Sequence, residues 1–327
     1  MRAIHVLLAA LLLALATAAG CGDDDGGDTG NEAGAGTTGT VAGQMIERNP
    51  AFEGKTITIG SKNFTEQKVL GEIFAQAFEA AGFTVRKELN LGDEQTALRA
   101  LEQGEIDAYP EYTGTALLSF FDTPSDELPT DPQEAYEQAR QGFAERDLVA
   151  FPPTPFTSSN EVAVTRETAE RLGLEKISDL AEHAGELTLY GSPECRQRRD
   201  CLLGLQEVYG LRFKEFVPVA IDLRHEVLTS GRADVSIVFT TDPQIRRNDE
   251  VLLEDDRGMF PPYNSTLVMR AEVADEAGRQ ELADLIELIQ QGLTDEVMQE
   301  LNARVDIDKE TPEQVAEEYL RESGLTS

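Results

Sequence analysis

Residues 101–113 read LEQGEIDAYPEYT, and residues 228–240 read LTSGRADVSIVFT. Each stretch has a glycine at its fourth position, an aspartate at its seventh, and an aromatic residue followed by threonine at its end. The pattern is typical of a helix that stops at the glycine and leads into a strand. If the copies lie in two lobes of like construction, each delivers one ring, Tyr112 or Phe239, from the carboxyl end of a strand, where open α/β sheets bind ligands. The alternative is chance repetition of a common helix–glycine–strand turn.

Strand-type and helix-type segments alternate on both sides of this repeat. From 69 to 81 the apolar residues recur at helical spacing, and Gly82 closes the predicted helix. Thr311 is followed by Pro312 and by Gln314, and this pattern predicts the start of a C-terminal helix. Such alternation favours an α/β fold with mostly parallel sheets flanked by helices. The predicted strands are 56–59, 83–89, 106–109, 161–165, 187–190, 216–219 and 233–238.

The composition is that of a globular chain and argues against a nucleic-acid partner. With 327 residues and 40% hydrophobic content, the chain can bury one or two substantial cores. Asp and Glu number 61 against 28 Lys and Arg, a formal net charge of −33, whereas phosphate binding requires basic surface. We interpret this acidity as a solvated, self-repelling surface, with steering of cationic ligands as the alternative.

The N-terminus has the features of an export signal. Residues 6–15 are an apolar run too short to span a bilayer, and the small residues 18–20 precede Cys21. This junction resembles the bacterial lipobox, in which the cysteine is lipidated and becomes the mature N-terminus. We therefore expect a signal peptide over 1–20, a lipid anchor on Cys21, and a flexible tether rich in Gly, Asp and Thr over 21–50.

The remaining cysteines form an even pair. With Cys21 lipidated, Cys195 and Cys201 are left in an oxidising compartment, and we expect a disulfide between them. Two separate buried thiols are the alternative. A metal site is not expected, because the mature chain keeps only His183 and His225.

Two loops that follow predicted strands combine polar and aromatic residues. Residues 60–67, GSKNFTEQ, could direct helix N-terminal N–H groups and the Lys62 ammonium toward an anion, and a polar turn capped by Thr65 is the alternative. Residues 109–115, YPEYTGT, place two tyrosines and Glu111 in one turn. These tyrosines could equally be core residues with satisfied hydroxyls. We interpret Glu111 as half of a structural ion pair or as a helix-start carboxylate.

Five stretches, taken in order, resemble the quaternary-amine receptors of osmoprotectant ABC importers, the glycine betaine/choline-binding family. They are GSKNFTEQ (60–67), YPEYTGT (109–115), the helix ending in VYG (208–210), FTTD (239–242) and LEDDRGMFPPY (253–263). The resemblance implies a two-lobed, type II periplasmic-binding-protein-like fold in which each lobe is a mostly parallel sheet flanked by helices. Lobe I would comprise 51–155 plus 262–327, and lobe II would comprise 156–261. We expect an extracytoplasmic, lipid-anchored monomer without a cofactor that delivers a small solute to an ABC permease.

The resemblance also implies roles for individual residues. Members of the family hold a trimethylammonium head among aromatic rings and hold the carboxylate of betaines with basic and hydroxyl groups. The matching ring positions are Tyr112, Phe239 and Tyr263. The matching carboxylate positions are Lys62, Thr115 and Arg198, whose guanidinium fork could meet both oxygens.

Asn160 departs from the family pattern. Relatives commonly read Asn-Asn-Thr-Tyr where this chain reads TSSN (157–160), so that Asn160 replaces a ring. A missing ring would weaken quaternary-amine binding, or would indicate a ligand that donates hydrogen bonds to the amide. The alternative ligand on the same fold is therefore an amino acid, a polyamine or another zwitterion. An enzyme is not supported, since the chain lacks a nucleophile elbow and a His-Glu-x-x-His motif, and has few histidines.

Overall fold

A computed structural model of the chain describes residues 44–124 and 127–327. The predicted signal peptide, Cys21 and most of the predicted tether lie outside the described residues. Within residues 44–50, the last part of that tether, Ile46 is 7% exposed, and its N–H donates to the carbonyl oxygen of Leu325 at 2.8 Å. The predicted end of the tether at residue 50 stays a prediction. Within the described residues, no helix combines the length and apolar character needed to cross a membrane.

The strands assemble into two five-stranded sheets. In chain order they are β1 (Thr56–Gly60), β2 (Thr84–Glu88), β3 (Ala108–Tyr112), β4 (Leu148–Ala150), β5 (Asn160–Thr165), β6 (Thr188–Gly191), β7 (Glu215–Pro218), β8 (Val235–Phe239), β9 (Glu250–Leu253) and β10 (Ser265–Arg270). The first sheet has the order β2-β1-β3-β10-β4, and the second has the order β7-β6-β8-β5-β9. β10 in the first sheet is antiparallel to both of its neighbours, β3 and β4, and β5 in the second sheet is antiparallel to both of its neighbours, β8 and β9, whereas the other described pairs are parallel. The predicted mostly parallel character is therefore confirmed, with one reversed strand in each sheet.

Helices cover the sheets, and each sheet with its helices is here called a lobe. The α-helices of the described residues are α1 (Thr65–Ala81), α2 (Glu94–Glu102), α3 (Thr113–Thr115), α4 (Pro132–Ala144), α5 (Arg166–Leu172), α6 (Leu202–Glu207), α7 (Glu226–Thr229), α8 (Gln244–Arg247), α9 (Ala271–Ala277), α10 (Arg279–Gln290), α11 (Asp295–Asp306) and α12 (Pro312–Glu322). A π-helical turn, Ala116–Phe120, follows α3. Helices α1, α10, α11 and α12 share one hydrophobic core on one face of the first sheet, and α2 and α4 cover the other face.

The two best-marked helices form for the reasons that the sequence indicates. The apolar side chains of α1 at 69–81 are buried in the core, and the helix ends at Gly82, whose φ of 119° is the left-handed backbone that favours glycine. At the start of α12, Thr311 and Gln314 form a reciprocal capping box with proline at the first helical position. Both predictions are confirmed.

The internal repeat has the same local structure in both lobes. Asp107 accepts a hydrogen bond from the N–H of Thr58 on β1 at 2.8 Å, and Asp234 accepts one from the N–H of Thr188 on β6 at 2.8 Å. In each lobe the aspartate thus ties the repeat to the neighbouring parallel strand. The repeat therefore reflects two lobes of like construction and not a chance recurrence.

The chain passes between the lobes twice, in the segments 151–159 and 254–264. An antiparallel bridge between Thr157 and Asn264 joins these two segments. The predicted lobe boundaries, 155/156 and 261/262, fall within them and stay predictions. Because the segments run side by side, a bend there would move one lobe relative to the other without disturbing either sheet.

Candidate functional site

A cavity lies between the lobes at the carboxyl ends of β1, β3, β6 and β8. The space within it that can hold the centre of a water molecule is about 70 Å³. All of the residues that the sequence nominates for ligand binding line it, namely Lys62, Tyr112, Thr115, Asn160, Arg198, Phe239 and Tyr263. The fold thus brings together in one place residues from both lobes and from both crossing segments.

Aromatic rings from the two lobes meet in this cavity. The ring centroid of Phe64 lies 6.2 Å from that of Tyr112 and 5.3 Å from that of Phe239. Tyr263 forms a further wall, and its ring lies directly against the backbone of Gly114. A Cβ at Gly114 would come within 2.7 Å of Cε1 of that ring, so only glycine allows this approach.

Lys62 is paired within the protein. Its side chain is 5% exposed, and its ammonium forms a salt bridge with the fully buried carboxylate of Glu111. The same ammonium lies 4.6 Å from the ring centroid of Tyr112, within cation–π range. Glu111 also accepts from the hydroxyl of Tyr109 at 2.9 Å. The interpretation of Glu111 as a structural ion-pair partner is confirmed.

The predicted cap of α1 by Thr65 is wrong. Thr65 does not cap the helix, because its hydroxyl donates to Asp306 at 2.6 Å.

Arg198 is also paired, and its fork faces an internal carboxylate. Nε and one terminal nitrogen donate to the two carboxylate oxygens of Asp200 at 2.8 and 2.5 Å. The other terminal nitrogen lies 3.0 Å from Oε2 of Glu94, across the cleft. Burial alone would raise the pKa of Asp200, but the charge and hydrogen bonds of Arg198 outweigh burial and hold that pKa below its ordinary value. The two predicted carboxylate-binding cations, Lys62 and Arg198, therefore both have carboxylate partners already.

The loop that carries Arg198 is closed by a disulfide. Cys195 and Cys201 are bonded, and their Cα atoms are 5.1 Å apart. Arg199 in this loop donates to the carbonyl oxygen of Thr123 in the first lobe at 3.2 Å. The disulfide thus limits the freedom of a loop that reaches across the cleft.

A chain of hydrogen bonds connects the ring of Tyr112 to the second lobe. The Tyr112 hydroxyl donates to Glu66 at 2.7 Å, and the side-chain amide of Asn302 on α11 donates to the other oxygen of Glu66 at 3.0 Å. The same amide lies 3.2 Å from the carbonyl oxygen of Thr241 in the second lobe. Burial, and then the charge of Glu66, raises the pKa of Tyr112 well above its ordinary value, so the hydroxyl remains a donor.

A buried cluster of charges holds Phe239 in place. Asp242 accepts from the Phe239 N–H at 2.8 Å, from Arg224 at 2.6 and 2.7 Å, and lies 2.9 Å from Nε2 of His225. The guanidinium carbon of Arg224 lies 4.7 Å from the centroid of the Phe239 ring. Burial would lower the pKa of His225, but hydrogen bonds to Asp242 and Glu250 outweigh it and raise that pKa. Arg224 thus covers one side of the ring and fixes its orientation.

Glu161, beside Asn160 on β5, predicts a pH dependence of stability. Burial, and then the charge of Asp255, raises the pKa of Glu161 to about 7. The folded state therefore binds more protons than the unfolded state above the ordinary pKa of about 4.3, and stability falls as the pH rises from there to about 7. We expect Glu161→Gln to raise the free energy of unfolding at pH 8 by roughly 1 to 3 kcal/mol and to change it little at pH 4.

Urea unfolding at pH 4 and pH 8 measures this difference. Glu105→Gln, the same substitution at an exposed position, serves as the control and should leave both values unchanged. A Glu161→Gln variant that is no more stable than wild type at pH 8 would show that the carboxylate is not destabilising.

Comparison with known proteins identifies the family. The profile described as the substrate-binding domain of ABC-type glycine betaine transport systems matches residues 55–322. The chain belongs to this family. Its members are solute-binding proteins that act outside the cytoplasm, and they are not enzymes.

Two known relatives are similar to the chain over most of its length. It is 34% identical over 284 residues to the glycine-betaine-binding protein of Pseudomonas aeruginosa, covering 84% of this chain and 89% of the relative. It is 30% identical over 283 residues to the ergothioneine transport permease/ergothioneine binding protein of Helicobacter pylori. That match covers 86% of this chain, which spans 50% of the length of the relative.

A solved structure has the same fold. The crystal structure of a glycine betaine/carnitine/choline ABC transporter protein superposes with a TM-score of 0.65 at 27% identity. The match covers 82% of this chain and 98% of the other. The predicted two-lobed fold of type II periplasmic binding proteins is therefore confirmed.

Several residues that line the cavity of this chain were not predicted from the sequence. They include Phe64, Glu94 and Glu194 in the lining, together with Asp200 directly behind Arg198. Phe64 carries a usable signal, since it is a large ring in the otherwise polar loop GSKNFTEQ before α1. Asp200 carries none, because its partners Asn160 and Tyr263 lie 40 and 63 positions away in the sequence.

Proposed function

We propose that this chain is the extracytoplasmic receptor of an ABC importer and binds a quaternary-ammonium solute, such as glycine betaine or choline, in the interlobe cavity. The observation that carries the proposal is the meeting of Tyr112, Phe239 and Tyr263 in one cavity between the lobes. Family membership supports the role of receptor, and these rings support the class of ligand.

Aromatic walls suit a quaternary ammonium for a physical reason. Its nitrogen has no N–H to donate, so it cannot be recognised by a hydrogen bond from that nitrogen, and ring faces, dispersion and nearby negative charge contribute instead. A desolvated cation–π contact contributes about 2 kcal/mol, and a cavity closed by both lobes excludes the water that would otherwise compete. Asn160 and Thr115 would then contact the polar end of the solute.

Lobe closure would couple binding to transport. The solute would lie between the lobes, and bending of the two crossing segments would release it to the permease. Export, a lipid anchor on Cys21 and a monomeric state are part of the same proposal, which here rests on the sequence of residues 1–21 and on the family.

A thermal-shift titration of the purified protein tests the ligand class. The panel contains choline, glycine betaine, carnitine, ergothioneine and the standard amino acids. A binder at a hundredfold excess over its dissociation constant adds about 2.7 kcal/mol to stability, and we expect this from quaternary ammonium compounds. Stabilisation by amino acids alone would replace the proposal with an amino acid receptor of the same fold, and no stabilisation by any compound would remove it.

A further inference from the structure

We propose that Asp200 fills the fork of Arg198 as an internal anion and makes the cavity select monocations over zwitterions. This inference rests on the proposed function, because it concerns which quaternary ammonium compounds the same cavity accepts. It departs from the sequence-based expectation that Arg198 binds the carboxylate of a betaine.

Asp200 is completely buried, and its carboxylate is fully engaged. Both oxygens accept from Arg198, and Oδ2 also accepts from the Tyr263 hydroxyl at 2.7 Å and from the Asn160 amide at 2.9 Å. Three residues nominated for ligand binding thus converge on one internal carboxylate. A ligand carboxylate would need the same donors, and it could obtain the Arg198 fork only by displacing Asp200.

Lys62, the other cation in the lining, cannot replace Arg198 as the partner of a ligand carboxylate. The Lys62 ammonium is held by Glu111, which is itself 0% exposed. The last terminal nitrogen of Arg198 contacts Glu94, which is 5% exposed. Among the described residues that line the cavity, Lys62 and Arg198 are the only Lys and Arg, so each lining cation already has a carboxylate partner.

The charge of the lining also disfavours a ligand anion. Asp93, Glu94 and Glu194 line the cavity together with these two cations, which leaves a surplus of one negative charge. Glu111 and Asp200, directly behind the cations, bring the surplus to three negative charges. A monocation reduces this imbalance, whereas a zwitterion adds a carboxylate that must lie near other carboxylates without a cation that is free of a carboxylate partner in the described lining.

Calorimetric titration of glycine betaine and betaine amide tests the proposal. The two ligands have nearly the same shape, but the amide is a monocation. We expect wild type to bind betaine amide and choline at least about tenfold more tightly than glycine betaine at pH 7. In Asp200→Asn, which keeps an oxygen for Tyr263 and frees the fork, that ratio should fall by at least about tenfold.

Glu194→Gln is the matched control. It also removes one negative charge from the site, but no hydrogen bond or ion pair of the Glu194 side chain occurs within 44–124 and 127–327. We expect it to lower the ratio by less than Asp200→Asn does, because it removes a negative charge from the lining without freeing the Arg198 fork. An equal change in both variants would mean that net charge, not occupation of the fork, sets selectivity.

The outcomes separate this inference from the proposed function. If wild type binds glycine betaine as tightly as betaine amide, the inference is overturned while the proposed function stands. If wild type binds none of the three compounds, the proposed function itself fails. A selectivity measured on wild type also remains decisive if Asp200→Asn does not fold.

Discussion

Replacing Glu111 by alanine is expected to lower the free energy of unfolding by about 3 to 5 kcal/mol, because the Lys62 ammonium would be left buried without its partner. The substitution also removes the acceptor for the Tyr109 hydroxyl and for the backbone N–H of Tyr112. Each buried donor left without an acceptor adds about 1 to 3 kcal/mol in isolation, although such costs overlap within one network. Urea unfolding followed by circular dichroism measures the loss.

An exposed ion pair provides the control for this prediction. Glu102 lies 3.2 Å from Arg146 with both side chains more than a third exposed, and Glu102→Ala should cost at most about 1 kcal/mol. The double variant Lys62→Met/Glu111→Leu removes both charges and should recover much of the stability lost in Glu111→Ala. A loss below about 1 kcal/mol for Glu111→Ala would mean that Lys62 reaches solvent or another partner.

Gly204→Ala is expected to cost about 3 kcal/mol or more and to abolish ligand binding. Gly204 lies in α6, where a Cβ would come within 1.7 Å of the carbonyl oxygen of Arg199 and 2.8 Å of the sulfur of Met259. A methyl group cannot be accommodated against backbone at that distance, and overpacking of a filled site costs 1 to 3 kcal/mol or more. The loop closed by the Cys195–Cys201 disulfide must therefore move, and Arg198 and Asp200 move with it.

Gly185→Ala is the matched control for this prediction. A Cβ at Gly185 meets nothing within 4 Å, so the same substitution there should change stability by less than about 0.5 kcal/mol. Thermal unfolding and choline titration of the two variants provide the measurements. Normal choline binding by Gly204→Ala would mean that the disulfide-closed loop carrying Arg198 does not contribute to the site.

The sequence predicted the lobes well because their repeat is local. The aspartates at 107 and 234 and the glycines before them mark a turn whose geometry depends on a few neighbouring residues. Strands β4, β9 and β10 are absent from the sequence-based prediction, and the reversed direction of β5 was not predicted, since direction in a sheet depends on the partner strand and not on the local pattern. Residues 44–50 were assigned to the tether because a single apolar residue, Ile46, gives little periodic signal, although Ile46 packs against the C-terminal segment.

The positions of the site residues were predictable, but their partners were not. Rings at strand ends follow from the topology, and Tyr112 and Phe239 lie where the repeat places them. Whether a cation is available to a ligand depends on which carboxylate folds against it. Glu111 lies 49 positions from Lys62, and Asp200 lies 2 positions from Arg198. Neither spacing shows whether the cation is paired with that carboxylate or available to a ligand.

Calorimetric titration of wild type with choline and with its neutral carbon isostere, 3,3-dimethyl-1-butanol, tests most directly whether the rings recognise a quaternary ammonium. The two ligands match in shape and differ only in the charge of the head group. We expect choline to bind at least about 30-fold more tightly, which corresponds to about 2 kcal/mol of cation–π attraction. Equal affinities for the two compounds would contradict recognition of the cation by aromatic faces.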